Sequence, residues 1–211
     1  MSIDKIAYTL RTKAPVLFSA IELLSRSITH LRHGRARLRT ITKATIHGTV
    51  GSAPMTIRQL GPPDTEALHQ FLSSMPEEHT RYFRPHDFSH DGVTKVLSSG
   101  TYCCYGISDQ DHLIAYCLIK LFPTANAYCG LAVSNDMVGI GLGKFLWRYL
   151  IWQCVLMGVN PCATAHVDNL ASLGSLKSIK PDTQQSPLPN DYLQLTIPTD
   201  EDDAVTPVLN L

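Results

Sequence analysis

The sequence predicts a mixed α/β fold in which strands and helices alternate. Three observations predict it. Apolar runs of strand length recur between residues 56 and 167, and amphipathic patterns of helical period lie among them. A glycine-punctuated loop then separates one apolar run from the longest helical pattern. The predicted order is strand, helix, helix, three strands, helix, strand and helix.

The first half of this order begins with a short strand over residues 56–60. A helix starts at residues 62–64, because proline is tolerated in a first helical turn. Its apolar side chains, Leu68, Phe71, Leu72 and Met75, share one face. Residues 91–97 predict a second short helix. The β-rich runs 102–108 and 112–122 are joined by the polar residues Asp109, Gln110 and Asp111, a pattern that predicts a hairpin.

The second half begins with a strand over residues 127–133. Residues 143–157 carry apolar side chains at helical spacing, and this helix ends at the glycine that follows. Residues 162–167 predict a buried strand. A last helix over residues 170–179 stops before Pro181, since the residue before a proline disfavours the helical conformation.

The loop between the strand at 127–133 and the long helix carries glycines at alternate positions, 139, 141 and 143. Glycine allows tight turns and close approach of a ligand, so successive N–H groups can converge on an anion. The start of the following helix adds unpaired N–H donors and partial positive charge. Together these features predict a phosphate or pyrophosphate site.

Two familiar phosphate loops do not fit this segment. The Walker loop needs four residues between its glycines and a Ser or Thr after its lysine, but Phe145 follows Lys144 here. The dinucleotide fingerprint needs Gly-x-Gly-x-x-Gly early in a βαβ unit, and this loop has different spacing and lies late in the chain. A nucleoside triphosphatase and a dinucleotide-binding enzyme are therefore not predicted.

The segment resembles the pyrophosphate-binding motif of the GNAT superfamily of acyl-CoA-dependent N-acetyltransferases, Gln/Arg-x-x-Gly-x-Gly/Ala. Val138-x-x-Gly141-x-Gly143 fits at the glycines, although Val138 stands where the family has a polar residue. A second match is Asn169-x-x-Ser172, which follows an apolar strand as the family's CoA-contacting Asn does. The resemblance covers roughly residues 55 to 180.

The resemblance implies a mostly antiparallel central sheet flanked by helices, and acetyl-CoA as co-substrate without a metal. It also implies a set of residues that bind the co-substrate along the strand, the glycine loop and the second motif. These are Leu131, Ala132, Val133, Val138, Gly139, Gly141, Gly143, Lys144, Asn169 and Ser172. In the family a splayed strand, here Leu131 to Val133, presents an N–H to the acetyl carbonyl.

Acetyl transfer also needs a proton acceptor for the amine and often an acid for the leaving thiolate. The strand that usually supplies a Glu has no carboxylate here, so we take His166 and Ser134 as the catalytic candidates. The alternative is a structural role, because a histidine in an apolar strand is more often a hydrogen-bonded core residue than a catalytic one. Leu176 stands where the family has its acidic Tyr, which leaves Ser175, Ser178, water or no acid at all.

The acceptor is predicted to meet residues 76–86, where Glu77, Glu78 and Arg84 are the substrate-binding candidates. A solvated connector is the equally weighted alternative. His86 and His90 do not predict zinc, because Pro85 and neighbouring polar residues argue against one helical face and no Cys is adjacent.

The sequence divides into a basic extension over residues 1–54, an acyltransferase domain over 55–199 and an acidic tail over 200–211. Residues 1–50 carry nine Lys and Arg against two acids, whereas the remainder is acidic. The extension contains one helical pattern, formed by Val16, Leu17, Ile21, Leu24, Ile28 and Leu31. We expect this helix to pack on its own domain or to form a homodimer. Residues 51–54 would be a linker, and 192–197 a strand.

Several classes are not favoured. The basic run lacks interleaved aromatic residues, which argues against nucleic acid, and no segment is long enough to span a membrane. A signal peptide is disfavoured by Glu22, although a mitochondrial presequence stays open. The six cysteines lack metal spacing and lie mostly in apolar runs, so we expect reduced core thiols and a cytoplasmic protein.

The predicted function is acetyl transfer from acetyl-CoA to a primary amine by direct attack in a ternary complex. A small-molecule amine is preferred as acceptor, and a protein lysine is the second choice. The alternative is a catalytically weak acyl-CoA-binding module that acts through its basic N-terminal arm. A nucleic-acid-associated protein is the third option.

Overall fold

The computed structural model describes residues 15–109 and 112–211. In the helix Pro15–Ile41 it describes side chains from residue 23 onward, except that of Arg39. Residues 1–14 of the predicted basic extension lie outside the described residues. So do Gln110 and Asp111 of the predicted hairpin turn.

Eight strands and six helices make up the described part of the chain. The strands are β1 (Ile46–Val50), β2 (Ala53–Leu60), β3 (Tyr102–Asp109), β4 (His112–Leu121), β5 (Asn126–Val133), β6 (Asn160–His166), β7 (Gln184–Leu188) and β8 (Tyr192–Thr196). The helices are α1 (Pro15–Ile41), α2 (Thr65–Ser74), α3 (Glu77–Thr80), α4 (His90–Leu97), α5 (Leu142–Met157) and α6 (Leu170–Lys177). Strands β1 and β7 and helix α3 were not predicted.

All eight strands belong to one sheet, in the order β1-β2-β3-β4-β5-β6-β8-β7. Every neighbouring pair is antiparallel except β5 and β6, which are parallel. Parallel neighbours need a crossover connection, and α5 supplies it between β5 and β6. The prediction of a mixed fold with a mostly antiparallel sheet flanked by helices is confirmed.

The two faces of the sheet bury different helices, because side chains alternate along each strand. Cys103 points into the larger core, which α5 fills with Leu146 and Leu150. Its neighbour Cys104 points into the smaller core beneath α2 and α4. All six cysteines are buried free thiols.

Helix α1 contacts the rest of the molecule through polar residues. Thr29, His33 and Thr40 are buried, and His33 Nε2 lies 3.1 Å from the Phe122 carbonyl oxygen. The leucines from residue 23 onward are exposed instead, as with Leu31 at 83%. The helix therefore packs on its own domain, with its apolar stripe facing away.

The predicted linker and the end of the predicted acidic tail both lie beside β1. The predicted linker, residues 51–54, is the turn and first residues of the β1–β2 hairpin. The end of the predicted acidic tail lies beside β1, where Leu209 is fully buried and its carbonyl accepts the Thr49 N–H at 2.8 Å. Gly48 permits this approach, because a Cβ there would lie 1.9 Å from the Leu209 oxygen.

The acidic run at the start of that tail is held by Lys180. Its Nζ lies 2.6 Å from carboxylate oxygens of both Asp200 and Asp203. Lys180 is only 8% exposed, so this double ion pair anchors the segment to the end of α6. None of the helices in the described ranges combines the length and apolar character needed to cross a bilayer.

Candidate functional site

The sheet opens between its two parallel strands. β5 and β6 pair only at their first residues, and the ladder ends where Tyr128 pairs with Cys162. β5 continues to Val133 and stays paired with β4, whereas β6 continues to His166 and stays paired with β8. A gap therefore separates the ends of the two strands in the middle of the sheet.

Backbone N–H groups of β5 line this gap. The Asn160 N–H donates to the Ala125 carbonyl on the β6 side at 2.8 Å, and the Ser134 N–H donates to β4 at 2.8 Å. Successive peptide groups of a strand point to opposite edges, so odd-numbered residues of β5 face β6. The N–H groups of Leu131 and Val133 therefore face the gap, beyond the end of the ladder.

The glycine loop follows β5 directly and carries two left-handed residues. Gly139 has φ +87° and Gly141 has φ +100°, a region that side chains disfavour. Gly141 is the N-cap of α5, and its carbonyl accepts the Lys144 N–H at 3.0 Å. The N–H groups of Leu142 and Gly143 belong to the first turn and have no helical acceptor. The loop thus presents convergent donors at a helix start.

Helix α6 closes the other side of this loop. A Cβ at Gly143 would lie 3.9 Å from Ser175, which is ordinary contact. Asn169 caps α6, because its side-chain oxygen accepts the Ser172 N–H at 3.2 Å. Only its carbonyl oxygen is used in this bond, so the amide N–H₂ remains available as a donor. The first turn of α5 therefore faces α6 at Ser175, and Asn169 caps the start of α6.

A cleft of about 330 Å³ lies against the sheet beside the gap. Its walls come from the loop after α3, from β4 and β5, and from single residues of β6 and β8. Gly130 and Thr164 stand on either side of the gap and both line it. Phe83 forms part of the wall, since a Cβ at Gly130 would lie 3.1 Å from its ring. The cleft therefore reaches the place where β5 and β6 separate.

His166 lies behind two aromatic residues of the cleft. Its ring stacks on Tyr82 with centroids 5.1 Å apart and meets Tyr192 edge-on at 5.2 Å. The Asp168 N–H donates to Nδ1 at 3.2 Å, so the neutral ring carries its proton on Nε2. An Asp168 carboxylate oxygen lies 3.5 Å from the same Nδ1. Nδ1 is therefore the ring nitrogen without a proton, and both the N–H and the carboxylate of Asp168 lie against it.

Comparison with known proteins was made for sequence and for structure. Residues 65–177 match the family model described as "Acetyltransferase (GNAT) family", which is more than half of the chain. The chain belongs to the GNAT acetyltransferase family. No curated protein matches the chain in sequence.

Solved GNAT structures share its fold. The GNAT domain of S. lividans PAT has a TM-score of 0.62 at 14% identity, covering 72% of this chain and 96% of that one. The ribosomal-protein-S5-alanine acetyltransferase of Vibrio fischeri has 0.55 at 13%, covering 74% and 97%. The PaiA N-acetyltransferase of Thermoplasma acidophilum, solved with coenzyme A, has 0.56 at 13%, covering 69% and 99%.

Within this GNAT fold, the structure brings together most of the residues predicted around the glycine loop. Leu131 and Val133 face the gap by their N–H groups, and Gly139 to Lys144 form the loop and the start of α5. Ala132 instead faces the smaller core, where it is 5% exposed. Val138 is 56% exposed and contributes no side-chain polar group at the position of the family's Arg or Gln.

The other predicted residues differ in position. Ser134 directly follows β5 and makes no side-chain cap bond. The Ser175 hydroxyl donates to the Ser172 carbonyl at 2.9 Å, and Ser175 faces Gly143. Arg84 lines the cleft, whereas Glu77 and Glu78 are exposed on α3 and do not. Of the three substrate-binding candidates, Arg84 alone is therefore part of the cleft wall, and the acceptor role of this segment stays a prediction.

The sequence analysis missed several residues of this GNAT site. Arg81 and Lys120 line the cleft, and Asp168 contacts His166. Arg148 stands four residues after Lys144 on α5, and both are exposed, so two cations follow the start of the helix on one face. The spacing of four residues between Lys144 and Arg148 on a predicted helix could have identified Arg148 from the sequence. Lys120 could not have been identified from the sequence. Its place at the cleft follows from which face of β4 packs against the loop after α3, and only the tertiary structure determines that face.

Proposed function

We propose that this GNAT protein transfers an acetyl group from acetyl-CoA to a primary amine, by direct attack while both substrates are bound. The gap between β5 and β6 carries the proposal, because it connects a loop of phosphate-binding type with a cleft large enough for a small acceptor. A small-molecule amine is the preferred acceptor, and a protein lysine is the second. Six buried free thiols favour a reducing compartment such as the cytoplasm.

The residues present fit acetyl-CoA. When bound, it supplies a thioester whose carbonyl carbon accepts the amine and whose C–S bond then breaks. The N–H groups at Leu142 and Gly143, with Lys144, would hold the pyrophosphate. Asn169 and Ser172 would contact the adjoining part of the molecule. The N–H groups of Leu131 and Val133 would donate to the thioester oxygen as negative charge develops on it.

Proton transfer is proposed to pass to His166 through water in the cleft. The proton would be accepted at Nδ1, which requires the Asp168 N–H to release this atom, and an Asp168 carboxylate oxygen lies 3.5 Å from it. Tyr128 is a weaker candidate, since burial raises the pKa of its phenol. Ser134 and Ser175 remain proposals for handling the thiolate. The Ser175 proton is already donated within α6, so its use would require that bond to break.

The cradle is tested by Gly143→Glu. The fold has room for the change, because the added Cβ meets nothing closer than Ser175 at 3.9 Å. The carboxylate would place negative charge at the start of α5, where the pyrophosphate is proposed to lie, and we expect acetyl-CoA affinity measured by calorimetry to fall by about tenfold or more. Gly141 is a poorer probe, since its φ of +100° makes any side chain strained there.

The matched control is Gly174→Glu on α6, where an added Cβ meets nothing within 4 Å. It should bind acetyl-CoA like the parent protein, and ATP should bind both forms much more weakly than acetyl-CoA does. Unchanged acetyl-CoA affinity in Gly143→Glu, with the fold intact, would remove pyrophosphate from the start of α5.

A binding module without turnover is the second candidate function, and one observation favours it. None of the residues that line the cleft is an acid, and Leu176 occupies the position of the family's Tyr. Thiol release that depends on an added amine would identify the enzyme. Tight acetyl-CoA binding without release over a broad amine panel would identify the module, which would act through its basic N-terminal arm.

We further propose that α1 joins two copies of the chain. The exposed residues Leu24, Leu31 and Leu38 recur every seven positions, which is the spacing of a coiled-coil seam. The residues that contact the domain, including Thr29 and His33, lie on the opposite side of the helix. Nucleic acid is not proposed as a partner.

A further inference from the structure

The cleft beside the gap is cationic. Arg81, Arg84 and Lys120 line it, and no acidic residue does. Within the described part of the chain, none of these three cations forms an ion pair with a carboxylate. Three like charges around a cleft of about 330 Å³ therefore lack compensation from the protein.

Aromatic rings hold two of these cations in place without neutralising them. The Lys120 Nζ lies 5.3 Å from the centroid of Phe122 and 5.5 Å from that of Tyr102. The Arg81 guanidinium carbon lies 5.0 Å from the Tyr82 centroid. Such contacts orient a cation and leave its N–H donors available. Phe122 and Tyr82 also line the cleft, so the wall offers flat apolar surface next to positive charge.

This charge pattern selects among amine acceptors. An amine is a cation in neutral solution, and three uncompensated cations would raise the free energy of placing it in the cleft. A carboxylate or phosphate on the same molecule reverses the sign, since guanidinium and ammonium groups donate charge-assisted hydrogen bonds to such oxygens. The same field would steer anions toward the cleft.

We infer that the acceptor is a small amine that also carries a carboxylate or phosphate, held by Arg84, Lys120 and Arg81 while its amine reaches the gap between Gly130 and Thr164. The inference rests on the proposed acetyl transfer. The acceptor ammonium first loses one proton to solvent. The neutral nitrogen then forms the new N–C bond, the C–S bond of the thioester breaks, and the second proton of the amine passes through His166 and water to the departing sulfur, so that CoA leaves as the thiol.

The experiment compares matched amines that differ in one anionic group. L-phenylalanine is paired with L-phenylalaninamide, and O-phosphoethanolamine with ethanolamine. Acetylation is followed by thiol release from acetyl-CoA, and binding of the same four amines is measured by calorimetry on the protein without acetyl-CoA. The amide has the more weakly basic amine, so a preference for the acid cannot be explained by more free amine.

The variants are Arg84→Gln, Arg84→Lys and Lys120→Gln, with Lys43→Gln as the control because Lys43 is exposed and does not line the cleft. For at least one of the two anionic amines, we expect kcat/KM to exceed that of its neutral partner by roughly tenfold or more. Arg84→Gln should remove most of this preference through KM, and Arg84→Lys should restore part of it. Lys43→Gln should leave the preference unchanged.

The remaining outcomes separate a failure of the anionic-acceptor proposal from a failure of the acetyl-transfer proposal. Equal or better use of the neutral partners, or equal loss for both members of a pair in Arg84→Gln, overturns the anionic acceptor. Acetyl-CoA binding with no binding or acetylation of either anionic amine also overturns it and leaves the cradle standing. Charge-selective amine binding without acetyl-CoA binding supports the anion cleft and overturns the acetyl transfer.

Discussion

The imidazole of His86 is a single side chain through which the stability of the fold depends on pH. Its Nε2 lies 3.0 Å from the Tyr116 hydroxyl, and its Nδ1 lies 2.8 Å from the Asp87 carbonyl oxygen. A carbonyl can only accept, so Nδ1 carries the proton and Nε2 accepts from the tyrosine. Both polar bonds are thus satisfied by a neutral ring.

Burial lowers the pKa of His86 below its ordinary value of 6.5. The unfolded chain therefore binds more protons than the folded chain below about pH 6.5, and stability falls as pH falls through that range. We expect His86→Gln to lose less stability between pH 7.5 and 5.5 than the parent protein in urea unfolding. His112→Gln, at an exposed position, is the control, and an equal pH dependence in all three proteins would contradict the prediction.

Lys180 illustrates a contact that sequence reasoning does not reach. The structure shows that Lys180 binds Asp200 and Asp203, which lie 20 or more residues away in the chain. Such pairs could not be predicted from local pattern, because a salt bridge across a fold has no sequence period.

Among the elements, strength of periodicity separates those that were predicted from those that were missed. Helix α5 has 11 buried residues over its 16 positions, and its pattern is unmistakable in the sequence. β1 alternates only between half-buried and exposed residues and contains a glycine, while every residue of β7 is exposed. Edge strands of this kind bury too little apolar surface to give a signal.

The C-terminal segment illustrates the same limit and offers a test. Leu209 is fully buried whereas its neighbour Val208 is 72% exposed. We expect Leu209→Ala to reduce the free energy of unfolding by about 2–4 kcal/mol, from lost burial and a residual cavity. Val208→Ala should change it by about 0.5 kcal/mol or less. Equal small effects in chemical denaturation would mean that the segment does not pack beside β1.

At the scale of the whole molecule, the candidate site is a relation between distant parts. The glycine loop could be predicted from sequence, because its residues are contiguous. The separation of β5 from β6 was implied only by the family resemblance, since no local pattern marks where two strands stop pairing. The cationic cleft combines Arg81 and Arg84 with Lys120 of another element, whereas Glu77 and Glu78, named with Arg84 from the sequence, do not line it.

The whole molecule also determines what α1 can do. A helix of 27 residues is about 40 Å long, and it buries Thr29, His33 and Thr40 while exposing Leu24, Leu31 and Leu38. An apolar stripe with heptad spacing is stabilised when a second identical helix covers it, because each leucine then packs between side chains of its partner. The side chains that face the domain leave this stripe free for a second copy.

We therefore predict that Leu31→Glu shifts the chain from dimer to monomer in sedimentation equilibrium, since it places a charge in the apolar seam. Leu23→Glu is the matched control, because Leu23 is 68% exposed and lies off the seven-residue spacing. The parent protein and Leu23→Glu should approach twice the 23.3 kDa of one chain as concentration rises. A parent protein that stays at 23.3 kDa at every concentration, or identical behaviour of both variants, would contradict a seam formed by α1.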